Sequence, residues 1–276
     1  QIYYGNAIET SRTDNNVGGL IRLEYAPESG GARYYVGVAR SVRTPDATER
    51  YLAGNGMMPS ARWVGNPNLE PETHHQLEVG TVRDLGAGSL EISLYLNDVS
   101  DYVLRDRFDQ PNNYATVYRN IDARLLGGES RLQWQLGDGL QAEVGASYVH
   151  AENTDEDRAI AQIPPLEGFA TIRWAKGPWE AQAELRGAAR QSRVDTTSST
   201  GIPGQGLDVQ ETPGWGVVNL SAAWQAGSNT RIEVGVDNLL DKPYAQHLNR
   251  GNAFDPQQIQ VAEPGQSIWV ALRSAL

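Results

Sequence analysis

Residues 232–244 read IEVGVDNLLDKPY, and residues 266–276 read QSIWVALRSAL. In the first stretch Ile232, Val234 and Val236 alternate with Glu233, Gly235 and Asp237. In the second, Ile268, Val270, Leu272 and Leu276 share one parity. A period of two places successive side chains on opposite faces, so each stretch predicts a β-strand with one apolar and one polar face. A strand of this kind at the end of a sequence has to close a sheet or a barrel, because otherwise it presents an unpaired edge.

The same alternation recurs upstream. Strands are predicted over about 17–25, 33–40, 74–83 and 90–97, in a segment ending at 131–136, and over 140–148, 170–174, 179–186 and 218–224, which with the two opening stretches makes eleven. Residues 1–14, 41–73, 105–114 (RDRFDQPNNY), 151–165 and 192–214 read as loops. The connections are sorted by length. Short turns such as APESGGA, DLGAGS, GDG, AKGP and AGSN alternate with long links, some of about twenty residues or more. Short turns on one rim and long loops on the other is the plan of an outer-membrane β-barrel. The competing reading is a soluble β-sandwich, which has no physical reason to sort its loops.

Composition fits the barrel. The chain has 276 residues, 23 basic against 34 acidic side chains, a net charge of −11 and no cysteine. The acidic balance argues against a nucleic-acid partner, and the missing cysteine removes disulfides and thiolate metal sites. No run of about 18 apolar residues is present, so no transmembrane helix is predicted, and the first residues lack the basic and apolar regions of a signal peptide. Aromatics comprise 12 Tyr and 7 Trp against 3 Phe. Tyr and Trp suit a boundary with one dry and one wet side, as in the aromatic girdles of a membrane barrel. No GxSxG, HExxH or P-loop pattern occurs, so no enzyme is predicted.

Bacterial single-chain barrels have even strand numbers. Eleven strands, the last running toward the short turns, predict a chain that starts on the long-loop side. It is thus expected to be the C-terminal 11–12 strands of a larger barrel, one domain over residues 1–276, with residues 1–4 the top of a twelfth strand. Eleven is half of the 22 strands of plugged outer-membrane transporters. Eleven strands alone leave two open edges and are expected to aggregate or to close in a non-native way unless the missing half is supplied.

Two motifs add a resemblance. GVDNLLDKPYAQH (235–247) resembles the penultimate-strand signature of TonB-dependent outer-membrane receptors, carried here by Val236, Asp237, Asn238, Leu239, Asp241 and Tyr244. WVGNPNLEPETHHQLEVG (63–80) resembles their mid-barrel box, through Gly65, Asn66, Pro67, Leu69, Pro71, Glu72, Glu78 and Gly80. NIDARLLGGE (120–129), IPPLEG (163–168), HLNRGNAF (247–254) and EPGQSIW (263–269) resemble the copper receptors within that family. The resemblance implies an all-β, 22-stranded transmembrane antiparallel barrel in the outer membrane of a Gram-negative bacterium. It implies an N-terminal plug outside this sequence, through which the TonB–ExbB–ExbD complex drives uptake. It also implies copper as cargo, with no resident cofactor, and insertion by the β-barrel assembly machinery through the C-terminal strand. Such barrels commonly end in Phe or Trp, whereas this chain ends in Leu276 with Trp269 the nearest aromatic, so recognition by that machinery is expected to be weaker. The other readings are a receptor for a siderophore or another metal complex, and a self-contained passive pore.

The family's copper-ligand motif matches no position here. Met57 and Met58, in a long outer loop, carry thioethers suited to Cu(I); the plainer reading is a loop tip turning apolar side chains inward over the barrel mouth. His74 shares the parity of Gln76 and Glu78, and His75 that of Leu77, so the two face opposite sides and cannot hold one ion together. His150 lies beside an acidic loop containing Glu152, Asp155, Glu156 and Asp157, a run that either attracts a cation or is simply solvated. His247 reads as structural.

Overall fold

The computed structural model describes residues 12–28, 30–54, 62–110, 113–196, 208–249, 251 and 259–274. Eleven strands follow one another as hydrogen-bonded antiparallel neighbours, in the order β1 (Gly19–Tyr25), β2 (Ala32–Arg43), β5 (Glu72–Asp84), β6 (Gly88–Gln110), β7 (Asn113–Gly137), β8 (Leu140–Asn153), β10 (Glu167–Lys176), β11 (Trp179–Ala188), β12 (Trp215–Gln225), β13 (Thr230–Asp237) and β14 (Ser267–Ser274). A short helix α1 (Ala47–Tyr51) and the two-residue strands β3 (Ala53–Gly54), β4 (Trp63–Val64) and β9 (Arg158–Ala159) belong to the loops. Among the described residues no helix is long and apolar enough to cross a membrane. The expected sorting of connections holds, with short turns joining β1–β2, β5–β6, β7–β8, β10–β11 and β12–β13 on one rim. At the tightest of these, Asp138 and Gly139 both have positive φ (48° and 77°), the backbone a two-residue hairpin needs. A Cβ at Gly139 would lie 1.9 Å from the Ala175 carbonyl oxygen.

One sequence expectation fails. Residues 105–114 were expected to be loop, but β6 and β7 run on as paired strands to Gln110 and from Asn113. Charged residues and Asn mask the period-2 signal there, and the strands show themselves in the backbone pairing of β6 with β7. A bulge between Val99 and Tyr102, with Asp101 at φ 59°, marks where the hairpin leaves the regular wall. Residues 41–73 also hold more than a polar loop: β2 continues to Arg43, α1 follows, and β5 begins at Glu72.

Register separates the two faces. Directly paired residues share a face, so Leu23, Val36, Val79 and Leu94 form one row, and Leu132, Val144, Ala170, Leu185 and Val218 another. These side chains are largely exposed on the chain itself, Leu94 at 53% and Val270 at 72%, as a lipid-facing surface requires. Near the short-turn rim the same face carries Trp134, Trp174, Trp179 and Trp224. Trp179 and Trp224 are stacked with centroids 5.6 Å apart, a girdle at the membrane boundary.

The other aromatics do different work. On the polar face, four rings lie over a directly paired glycine of the next strand: Tyr35 over Gly80, Tyr95 over Gly127, Phe169 over Gly145 and Trp269 over Gly235. A Cβ at any of these glycines would come within 2.3–2.7 Å of the ring. The flat ring shields backbone that the glycine leaves bare and pins the register. Tyr35 is held on both sides, with the Arg22 guanidinium 3.7 Å from its ring centre, and its hydroxyl donates to Glu78 Oε1 at 2.9 Å. Glu78 and Gly80 of the mid-barrel box are thus the two halves of one tyrosine seat.

Replacing Gly80 by Val is expected to displace the Tyr35 ring and cost about 1–3 kcal/mol of overpacking, whereas Tyr35→Phe loses only the bond to Glu78. Unfolding followed by gel mobility of the heated full-length protein in detergent checks the order; equal loss in both variants would mean that the ring seat is unimportant.

Candidate functional site in the outer loops

Among the described residues, the clustered buried apolar side chains lie in and beneath the long loops, above the lipid-facing rows. Leu69, Val103 and Tyr118 form one cluster with Trp63 against it. Val99, Leu104, Ile121, Ala123, Ala151 and Ile160 form another. Water surrounds this region, so burial here follows ordinary soluble-protein logic.

The mid-barrel box builds the first cluster. Helix α1 is opened by Asp46, which accepts from the Glu49 amide while Glu49 accepts from the Asp46 amide. Gly65 donates to the Leu52 carbonyl at 2.7 Å, and a Cβ there would meet the Tyr51 and Leu52 backbone nitrogens at 2.7 Å, so the approach requires glycine. Asn66 donates through its amide N–H to the Glu49 carbonyl and through Nδ2 to the Tyr118 carbonyl, while its Oδ1 accepts from Asn68 N–H. Pro67 occupies the turn that follows, and Leu69 is fully buried. Asn120 exchanges hydrogen bonds with the Glu70 backbone in both directions and donates to the Asp101 carbonyl at 2.6 Å.

Pro71 leads into β5, where Glu72 is buried. Glu72 receives two bonds from Arg43, at 2.7 and 2.9 Å, and one from the Val103 amide at 2.7 Å, with His74 Nε2 at 3.3 Å. Burial pushes the Glu72 carboxyl up, but Arg43 and the Val103 amide outweigh it and hold it below the usual carboxylate range. Arg43 also reaches Glu49.

A second polar line crosses the remaining loops. Asp106, buried, accepts from Arg119 and Arg158, each at 2.7 Å, and from the Arg107 amide. Desolvation raises this carboxyl and the three donors more than reverse it, leaving it below its ordinary value. Arg158 continues to Asp195 at 3.0 Å. The Asp195 amide donates to Asp208 Oδ2, whose partner oxygen Oδ1 accepts from Gln162 N–H and lies 3.2 Å from His247 Nε2. His247 Nδ1 is 2.8 Å from the Thr212 hydroxyl, and Gln260 bonds both Thr212 and the His247 carbonyl. One line of buried polar groups therefore joins the β6–β7 hairpin to the loops after β8, β11 and β13. Its members lie far apart in sequence, and apart from His247 none stood out there.

The penultimate-strand signature is also structural in its contacts. Val236 pairs with Leu220 and Ile268, and Asp237 with Ser267. Asn238, at φ 50° and buried, ties its side chain to Lys242 and its amide to Asn219. The Leu239 amide reaches the Val218 carbonyl, Asp241 accepts from the Gln266 amide, and the Tyr244 ring packs 4.5 Å from Trp215. His74 and His75 face opposite sides as expected. His150 lies 3.9 Å from Glu152, while Asp155 and Glu156 are engaged by the Asp122 amide and by Arg119. Met57 and Met58 lie outside the described residues, as do residues 1–4 and Leu276. Among the described residues no group of three metal-ligating side chains occurs.

The model of the TonB dependent receptor-like β-barrel family matches residues 5–239. The chain belongs to the TonB-dependent receptor family. The family consists of transport receptors of the Gram-negative outer membrane. Among solved structures, the copper transporter OprC superposes with a TM-score of 0.82 at 29% identity, over 93% of this chain and 40% of OprC. The ferric enterobactin receptor PfeA of Pseudomonas aeruginosa gives 0.70 at 18% identity, over 94% of this chain and 40% of that one, a likeness of fold. The heme/hemopexin utilization protein C of Haemophilus influenzae (strain 86-028NP) is 26% identical over 226 residues, 73% of this chain and 31% of that protein. The chain thus spans about a third of that relative and two-fifths of those solved structures, and within the family it forms barrel wall and outer loops.

Glu72 and Asp106 have folded pKa values below their unfolded ones. Their contribution is therefore present above about pH 4 and is lost as pH falls through the folded values. Hydrogen exchange of the full-length protein is expected to show residues 44–54 and 62–71 loosening in acid. Glu72→Gln is expected to loosen them already at neutral pH, by about 2 kcal/mol given the partial exposure of Arg43. Unchanged protection in this variant would show that the pair holds nothing.

Proposed function

We propose that the protein containing this chain imports copper across the outer membrane by TonB-dependent active transport, this chain supplying barrel wall and extracellular loops. Residues 1–276 then form one domain, the C-terminal part of the barrel. The plug region contacts TonB–ExbB–ExbD, the wall contacts lipid, and the C-terminal strand is read by the assembly machinery. The observation that carries the choice of cargo is the 29% identity and close superposition with the copper transporter OprC over nearly the whole chain, against 18% for the ferric enterobactin receptor. The relation to the heme/hemopexin utilization protein supports a second reading, uptake of an iron complex.

We assign the wall no catalytic role. Its buried acids and bases are spent on one another, and its role is to hold loops over a mouth through which cargo passes. Met57 and Met58 are the thioethers available to a soft ion in the outer loops.

Copper accumulation in cells expressing the full-length protein, with and without a functional TonB, tests this reading. TonB-dependent uptake is expected, with Met57→Leu/Met58→Leu raising the half-saturating copper concentration about tenfold, equivalent to ~1.4 kcal/mol of lost binding. Uptake that is indifferent to TonB would indicate a passive pore. TonB-dependent growth on hemin or a ferric siderophore without copper accumulation would replace copper by an iron complex.

A further inference from the structure

The polar line across the outer loops ends at His247 and Asp208, whose side chains are only 1% and 2% exposed. Their protonation can be worked out from their neighbours. Gln260 Nε2 donates to the His247 carbonyl at 2.7 Å, and the reversed amide would set two carbonyl oxygens against each other. Gln260 Oε1 therefore faces Thr212 Oγ1 at 2.9 Å and takes the one proton of that hydroxyl. The same hydroxyl oxygen lies 2.8 Å from His247 Nδ1, so Nδ1 carries a hydrogen.

Nε2 lies 3.2 Å from Asp208 Oδ1 and has no aligned hydrogen-bond partner among the described residues. An imidazole protonated at Nδ1 alone would set a bare lone pair beside a carboxylate oxygen in a dry interior, a costly arrangement. A second ring proton turns that repulsion into an ion pair. If the Thr212 hydroxyl turned to Nδ1 instead, Gln260 Oε1 would face a bare hydroxyl oxygen, and the same added proton repairs the fault. The surroundings leave Asp208 in need of a counter-charge. Its oxygens accept from the Gln162 and Asp195 amides, each at 2.8 Å, and among the described residues its ion-pair partner is His247. The neighbouring acids are matched elsewhere: Asp195, Asp106 and Glu156 by Arg158, and Glu211 by Arg190. Glu263 accepts from Asn249.

We propose that His247 and Asp208 form a proton-dependent clasp: the loops after β8, β11 and β13 close around one proton held between Nε2 and Oδ1, and release it to water on opening. Closing takes up a proton wherever a free imidazole would be neutral. The clasp therefore tightens as pH falls toward about 6.5 and loosens as pH rises above it. Its sign is opposite to that of the Glu72 and Asp106 carboxylates, which let go in acid. The loops are drawn together most firmly in mildly acidic surroundings, whatever the cargo.

Hydrogen exchange of the full-length receptor in detergent, corrected for the intrinsic rate, provides the test. The reporters are the Asp208, Thr212 and Glu263 amides, each bonded to a carbonyl of another segment. Their opening is expected to grow about eightfold from pH 7 to pH 8, the result of losing one proton to an imidazole that titrates near 6.5 when free. Residues 44–54 and 62–71, held by Glu72, serve as the reference and are expected to stay constant over this range. His247→Gln offers Asp208 a donor that does not titrate, and Asp208→Asn removes the counter-charge; each is expected to flatten the pH dependence. Heat-modifiable gel mobility confirms that each variant is folded. Equal opening at both pH values in the unaltered receptor, a rise shared by the reference residues, or a pH dependence that survives in a folded variant would each overturn the proposal.

Discussion

Inside a bilayer no water is available to satisfy backbone N–H and C=O groups, so every spanning residue must find its partner in a neighbouring strand. The antiparallel ladder from β1 to β14 meets that constraint for every strand except along the outer edges of β1 and β14, which have no neighbour among the described residues, and the other features follow from it. Neighbours in sequence are neighbours in the wall because short turns permit nothing else. Registers are kept through the lipid-facing rows, with shifts only at Val99/Tyr102 and Gln135/Gly137 near the strand ends, because a slip of one residue would turn every lipid-facing Leu and Val toward the lumen. The four rings seated over glycines on the polar face reinforce the same registers.

The constraint changes at the outer rim. Above the lipid-facing rows the chain meets water, and a soluble-type interior appears, centred on Leu69, Val103, Leu104 and Tyr118. Loops this long would carry many unsatisfied polar groups if left loose. They are instead gathered by two sets of polar contacts centred on buried carboxylates, around Glu72 and from Asp106 through Arg158 to His247. Buried ion pairs of this kind contribute less to stability than to specifying one arrangement, and removing one partner is costly. A transporter's mouth calls for that property: walls and loops of fixed shape around a path that stays polar.

Residue types were legible from the sequence more readily than their roles. The Tyr and Trp excess reads as membrane girdle, and Trp134, Trp174, Trp179 and Trp224 do form one. Yet Tyr35, Tyr95 and Trp269 face the lumen as covers for glycines, and Trp63 and Tyr118 pack under an outer loop. Composition cannot separate these uses because each needs a large flat ring with a polar tip. The box of residues 63–80 was recognisable as a pattern, but its reason was not: Gly65, Asn66 and Leu69 matter through contacts with α1 and Tyr118, which lie up to 52 residues away.

What the sequence by itself determined was the wall: period-2 alternation, eleven strands, the sorting of short and long connections, and which parity faces lipid, all set by neighbours within a few residues. Tertiary structure alone decided the extension of β6 and β7 through residues 105–114 and the line of polar groups joining Asp106 to His247. Each depends on side chains brought together from separate strands and loops, and separation along the chain carries no local signal of such contacts.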